Sequence, residues 1–193
     1  MDSGNGEKLS GEELFDRFLS GDKQAFEYLV ALYENELFLF LNGIVHDYHE
    51  AKHLMIEAFA LLALKGGQFA GKSSLKTYLF TIGKNLASKY LKKRKKEQHI
   101  SYEDVIEPLV DEGETPESFM VLKENKQYLQ KAMAALSEDY RVVLMLLYFE
   151  DMSYEDAAAV LSKNVRQIKN LVYRAKQTLK STLEKGGFIY ENI

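Results

Sequence analysis

Apolar positions recur at helical spacing along almost the whole chain, and no convincing stretch alternates with the period of a strand. A short helix is predicted over 9–19, ending near Gly21. From Asp22 onward, Phe26, Leu29, Val30, Tyr33, Leu37, Leu41 and Ile44 keep to one face of a long helix. Asp47 is placed to cap the next helix, with Glu50 at the capping-box position. That helix runs to Lys65, where Gly66 and Gly67 stop it. After the loop "GGQFAGKS", Ser73 or Ser74 opens another long helix reaching about residue 97, with Leu75, Tyr78, Leu79, Ile82 and Leu86 as its buried stripe. The pattern predicts an all-α fold.

Residues 99–116, "HISYEDVIEPLVDEGETP", break this rhythm, being acidic and holding both prolines of the chain. They predict a flexible tether between two small helical domains, 1–98 and 117–193. Thr115 and Pro116 suit the cap and first position of the helix that follows. Ser137, Ser153 and Asn164 then mark three helix starts in quick succession, the last two with Asp156 and Gln167 at the third helical position. Short helices joined by tight turns make a helix-turn-helix arrangement. In the final helix Val165, Ile168, Val172, Ala175, Leu179 and Leu183 form the packing face.

Composition narrows the picture. The 193 residues contain no cysteine, which excludes disulfides and thiolate metal sites and suits a reducing cytoplasm. The polar, acidic N-terminus is unlike a signal peptide, and the longest unbroken apolar run, "AFALLAL", is too short to span a bilayer. A soluble, cytoplasmic protein is expected. Charge is sharply segregated. The formal net charge is −4, yet residues 65–96 hold 10 of the 25 Lys and Arg and none of the 29 acids. Such a run is either a solvated helix face or a footprint for a polyanion.

Two faces favour nucleic acid. On the basic helix Thr77, Thr81, Lys84, Asn85, Ser88, Lys89, Lys92 and Lys95 fall on the polar side, where hydroxyls, an amide and ammonium groups suit phosphates and some base edges. The loop before it, with Phe69, Lys72 and Ser73, is suited to an unstacked base. On the final helix Asn164, Arg166, Gln167, Lys169, Asn170, Tyr173 and Arg174 lie away from the packing face. Asn and Gln can bond adenine bidentately and Arg can bond guanine likewise, as a major-groove reader requires. The string "HEAKH" matches the H-E-x-x-H pattern of zinc peptidases through His49, Glu50 and His53. No separate downstream segment supplies a third ligand, and His46 and His99 lie outside any such spacing, so the match is read as coincidence.

The layout resembles the sigma-70 superfamily of bacterial transcription initiation factors, specifically the extracytoplasmic-function group, over about 22–98 and 117–184. "SLKTYLFTIGKNLASKYLKKRKK" resembles the reader of the promoter −10 element. "LSEDYRVVLMLLYFEDMSYEDAAAVLSKNVRQIKNLVYRAKQTL" resembles the −35 reader. The family's acidic-Leu-x-Gln-Glu-x-Phe signature survives in "HLMIEAF" as Leu54, Glu57 and Phe59, which the resemblance assigns to polymerase binding. Tyr78 stands where the family often has Trp, Gln167 for a common Thr and Leu171 for a common Arg. The resemblance implies a factor, not an enzyme, that takes no cofactor, metal or small-molecule substrate. Its partners would be core RNA polymerase (β′ clamp helices and β flap), promoter DNA and an anti-sigma protein. Asn85 would help hold a flipped −10 base. A helix-turn-helix regulator with a helical sensor domain is the alternative that needs no polymerase.

Overall fold

The structure, a computed structural model, describes residues 9–97 and 128–185, and every regular element among them is helical. The chain divides into two compact units after Leu91, inside the fourth helix. The predicted tether over 99–116, the helix start at Thr115 and Pro116, and His99 lie outside the described residues.

In the first unit α1 (Gly11–Leu19) opens on a reciprocal capping box. Ser10 Oγ accepts the Glu13 N–H at 3.2 Å, and the Ser10 N–H donates to the Glu13 carboxylate at 2.7 Å. These bonds from Ser10 hold the Glu13 carboxyl below its ordinary range. A tight turn follows, with Gly21 at φ +104°, a conformation that costs glycine little. Asp22 then caps α2 (Lys23–Val45) by accepting the Gln24 and Ala25 N–H groups, and Arg17 pairs with it at 2.8 Å. Asp47 caps α3 (Tyr48–Lys65) through the Glu50 N–H at 3.0 Å. A 3-10 turn, Gly66–Gln68, ends α3 against α1, where a Cβ on Gly66 would stand 2.5 Å from Phe15 Cζ. Among the described residues α2 is the one helix long and apolar enough, by length and composition, to cross a membrane. Its Leu29, Leu37, Phe40, Leu41, Ile44 and Val45 are nonetheless buried in packing with its neighbours, the pattern of a core helix.

Ser74, not Ser73, caps α4 (Leu75–Glu97): its hydroxyl accepts the Thr77 N–H at 3.1 Å. The buried face of α4 is rotated from the predicted stripe. Leu75, Leu79, Phe80, Gly83 and Ala87 are buried, while Tyr78, Ile82 and Leu86 are only half-buried. Gly83 explains the rotation. A Cβ there would stand 3.0 Å from Leu37 Cδ1, so glycine lets the α4 backbone approach α2. Phe80 then seats its ring 5.0 Å from that of Phe40.

In the second unit residues 128–134 are helical and precede α5 (Glu138–Tyr148), α6 (Tyr154–Leu161) and α7 (Val165–Lys185). Ser137 occupies the cap position of α5 as predicted, but its side chain makes no capping bond. Arg141 is buried and donates from Nη1 to the Ala134 carbonyl at 2.9 Å, satisfying the end of the 128–134 helix. Burial pulls the Arg141 pKa down, against the neighbouring Glu138 charge. Ser153 caps α6 through the Asp156 N–H at 3.0 Å. Three residues, Ser162 to Asn164, then turn the chain into α7. Ser162 is left-handed at φ 52°, and its N–H and that of Lys163 close onto the last carbonyls of α6. Because relief of left-handed strain exceeds glycine's entropic cost, Ser162→Gly is expected to raise stability by about 0.5 kcal/mol, measured by urea unfolding.

Candidate nucleic-acid interface

On α4 the solvent face is set by what the opposite face buries. Asn85, Lys89, Lys92 and Lys96 are exposed and recur at i, i+4, i+7 and i+11, a single stripe roughly 16 Å long. Lys95 is exposed on a different side of the helix, and Lys84 and Ser88 are half-buried at its flank. Thr77, read as part of the polar face, is instead 1% exposed, with its hydroxyl 2.8 Å from that of Ser74. Thr81 is half-buried and turns its hydroxyl back to the Thr77 carbonyl at 2.7 Å. Lys96 falls outside the polar face that the sequence pattern predicts, because a stripe anchored on Leu86 places the opposite face one residue off. Anchoring it on Phe80, Gly83 and Ala87 recovers Lys96.

The loop before α4 is more constrained than its composition suggests. Phe69 is half-buried, its ring 5.2 Å from Tyr78 and edge-on at 6.1 Å from Phe15. One ring of Phe69 thus serves the core, and the exposed reach of the loop falls to Lys72 and its neighbours. Gly71 holds φ +64°, and Ser73 Oγ donates to the Ser74 carbonyl at 3.3 Å.

On α7 the N-terminus is fixed by a capping box. The Gln167 N–H donates to Asn164 Oδ1 at 2.8 Å, and the Asn164 N–H donates to Gln167 Oε1 at 2.9 Å. Both side-chain oxygens are therefore engaged in the cap. The amide NH₂ groups remain as donors toward a partner, and each oxygen keeps a second lone pair with which it can still accept. Arg166, Lys169, Asn170, Tyr173 and Arg174 are all exposed, Tyr173 at 67%. Lys169 Nζ lies 5.9 Å from the Tyr154 ring centroid, which orients it toward α6. Lys163, Gln167, Asn170, Leu171 and Arg174 line a shallow depression of ≈ 260 Å³. Half-buried Leu171 forms part of its lining between the polar groups. On the packing side Ile168, Val172, Ala175 and Leu183 are buried, while Val165 and Leu179 are half-buried.

The residues assigned to polymerase binding separate. Leu54 and Phe59 are 6% and 5% exposed, and the Phe59 ring packs edge-on at 6.4 Å from Phe26. Both pack in the core and present little surface to a partner. Glu57 is exposed, and it shares the outer face of α3 with Ile56 and Leu64, which are 55% and 82% exposed. Those two apolar residues were not foreseen; their only signal is an apolar side chain at a helical position opposite the packed one. His49 and His53 of the "HEAKH" string are exposed on α3. Among the described residues no group of three or more His, Cys, Asp or Glu is placed to hold a metal ion.

The family model for region 4 of sigma-70 matches residues 126–179. The RNA polymerase sigma-H factor of Pseudomonas aeruginosa is 30% identical over 180 residues, covering 90% of this chain and 93% of that protein. The extracytoplasmic-function sigma factor SigM of Bacillus subtilis is 29% identical over 155 residues, covering 80% of this chain and 93% of its own. Among solved structures, the sigma factor RpoE of Bartonella quintana, in complex with the anti-sigma factor NepR, superimposes with a TM-score of 0.68. It shares 27% identity and covers 82% of this chain and 96% of its own. The chain belongs to the sigma-70 family of RNA polymerase sigma factors, in its extracytoplasmic-function group.

Proposed function

We propose that this protein binds core RNA polymerase and directs promoter-specific initiation of transcription, with α4 reading the −10 element and α7 the −35 element. The observation that carries this is similarity to a sigma factor across 90% of the chain, joined to exposed basic faces on both helices. Residues 1–98 act as the polymerase-binding and −10 domain. Their outer α3 face, with Ile56, Glu57 and Leu64, meets the β′ clamp helices. Residues 117–193 act as the −35 domain and dock on the β flap, and 99–116 link the two. On α4, Asn85 holds an unpaired −10 base while the lysines supply charge, since an ammonium lacks the paired donor and acceptor of an amide. On α7, Arg166 enters the major groove from the first turn. Asn164, Gln167 and Asn170 present amide donors there, and Lys169, Tyr173 and Arg174 flank them.

The protein works in the cytoplasm without catalytic activity, cofactor or small-molecule substrate. An anti-sigma protein holds it inactive, as the complex of the Bartonella relative with NepR suggests. In vitro transcription with core polymerase on a promoter library tests the function: the chain should select a defined −35 and −10 pair. DNA binding without any polymerase-dependent transcript would favour a plain regulator. The α4 stripe carries its own expectation. Lys92→Ala or Lys96→Ala should flatten the dependence of log affinity on log salt for fork-junction DNA, by about one unit of slope per lost phosphate contact. A solvated helix end would leave that slope unchanged.

A further inference from the structure

The N-terminus of α4 is held by a residue far away in sequence. Glu12 of α1 accepts the Leu75 backbone N–H on Oε1 at 2.7 Å, across a separation of 63 residues. Leu75 begins α4 and has no exposed surface, so its N–H has neither an intrahelical acceptor nor ready access to water. A carboxylate is the strongest acceptor available for it and sits at the positive end of the helix dipole.

Two further ties join the same corner. Glu36 of α2 pairs with Lys76 Nζ at 2.8 Å. Phe15, one turn beyond Glu12, packs edge-on against Phe69 of the loop at 6.1 Å. Tyr33 of α2 lies near enough to both carboxylates that, after burial, Glu12 and Glu36 push its hydroxyl up to about 12. It therefore stays neutral wherever the protein functions. One face of α1 thus fixes both the first turn of the basic helix and the loop leading into it.

We propose that Glu12 is a positioning residue for −10 recognition: from α1 it sets the first turn of α4 and, with Phe15, the shape of the loop that receives the unpaired base. The proposal rests on the sigma-factor function above. A site for an extruded base is formed by loop backbone and adjoining side chains, and selectivity falls when such a frame loosens by about 1 Å. Glu12 touches no DNA in this scheme; it acts through the Leu75 amide. A residue that merely stabilised the unit would instead affect every activity of that unit together.

The test uses holoenzyme reconstituted from core polymerase and the full chain, with fork-junction probes that differ only in the −10 base. Glu12→Ala is expected to reduce the preference for the best over the worst base by about 5-fold or more, while core affinity stays within about 2-fold of wild type. Glu12→Gln, whose amide oxygen still accepts the Leu75 N–H, should restore the preference to within about 2-fold. An unchanged preference in Glu12→Ala overturns the proposal, and so does a parallel fall of core affinity and preference in both variants. Should Glu12→Ala fail to fold, Glu12→Asp keeps the charge but is one methylene too short. It should lose preference, and wild-type preference in that variant overturns the proposal equally. Failure of the sigma function looks different: wild-type chain with core polymerase would show no polymerase-dependent binding, and the proposal would fall with it.

Discussion

Arg166→Ala is expected to cost about 1–3 kcal/mol of discrimination at one or two base pairs of the −35 element, a loss of roughly 5- to 150-fold in preference there. Arg166 is exposed in the first turn of α7, directly after the capping box that fixes that turn. Its backbone position is thereby set before DNA arrives, and the guanidinium fork can meet a guanine edge without reordering the helix. Competition binding to a library of −35 duplexes measures this. A uniform loss over all sequences would make Arg166 a phosphate contact.

Gln167 needs a subtler substitution, because Gln167→Ala removes the cap and any base contact together. Gln167→Glu keeps an acceptor for the Asn164 N–H and places a carboxylate where the helix dipole favours one, but removes the amide donor. If Gln167 reads a base, Gln167→Glu should fold as well as wild type and shift sequence preference. If it only caps, sequence preference should stay as it was.

Phe80→Ala carries the largest expected effect on stability, about 3–5 kcal/mol. Phe80 is fully buried, its ring lies 5.0 Å from that of Phe40, and Lys76 Nζ sits 5.5 Å from its centroid. Removing the ring leaves a cavity between α2 and α4 that Gly83, having no side chain, cannot help to fill. The loss is a large share of what a small domain possesses, so the α4 surface should fail along with the fold. Urea unfolding followed by circular dichroism measures the shift. A cost near 1 kcal/mol would mean that the site collapses around the gap.

Much of this protein is written locally. Asp47, Ser153 and the Asn164–Gln167 pair cap the helices that their spacing predicts, because a cap needs only residues within a turn of one another. The same holds for the three-residue turn before α7 and for the polar face of that helix, where Arg166, Asn170 and Arg174 are exposed opposite Ile168 and Val172. Charge segregation, too, is a property of the sequence and needs no fold to be seen. Tertiary structure decided the rest. The rotation of α4 follows from Gly83 meeting Leu37, a contact between helices that periodicity along one helix cannot register. Leu54 and Phe59 are buried where α3 packs on its neighbours, with the Phe26 ring of α2 set edge-on to that of Phe59. The acceptor for the Leu75 amide came from α1, since a buried helix end takes whichever partner packing brings to it.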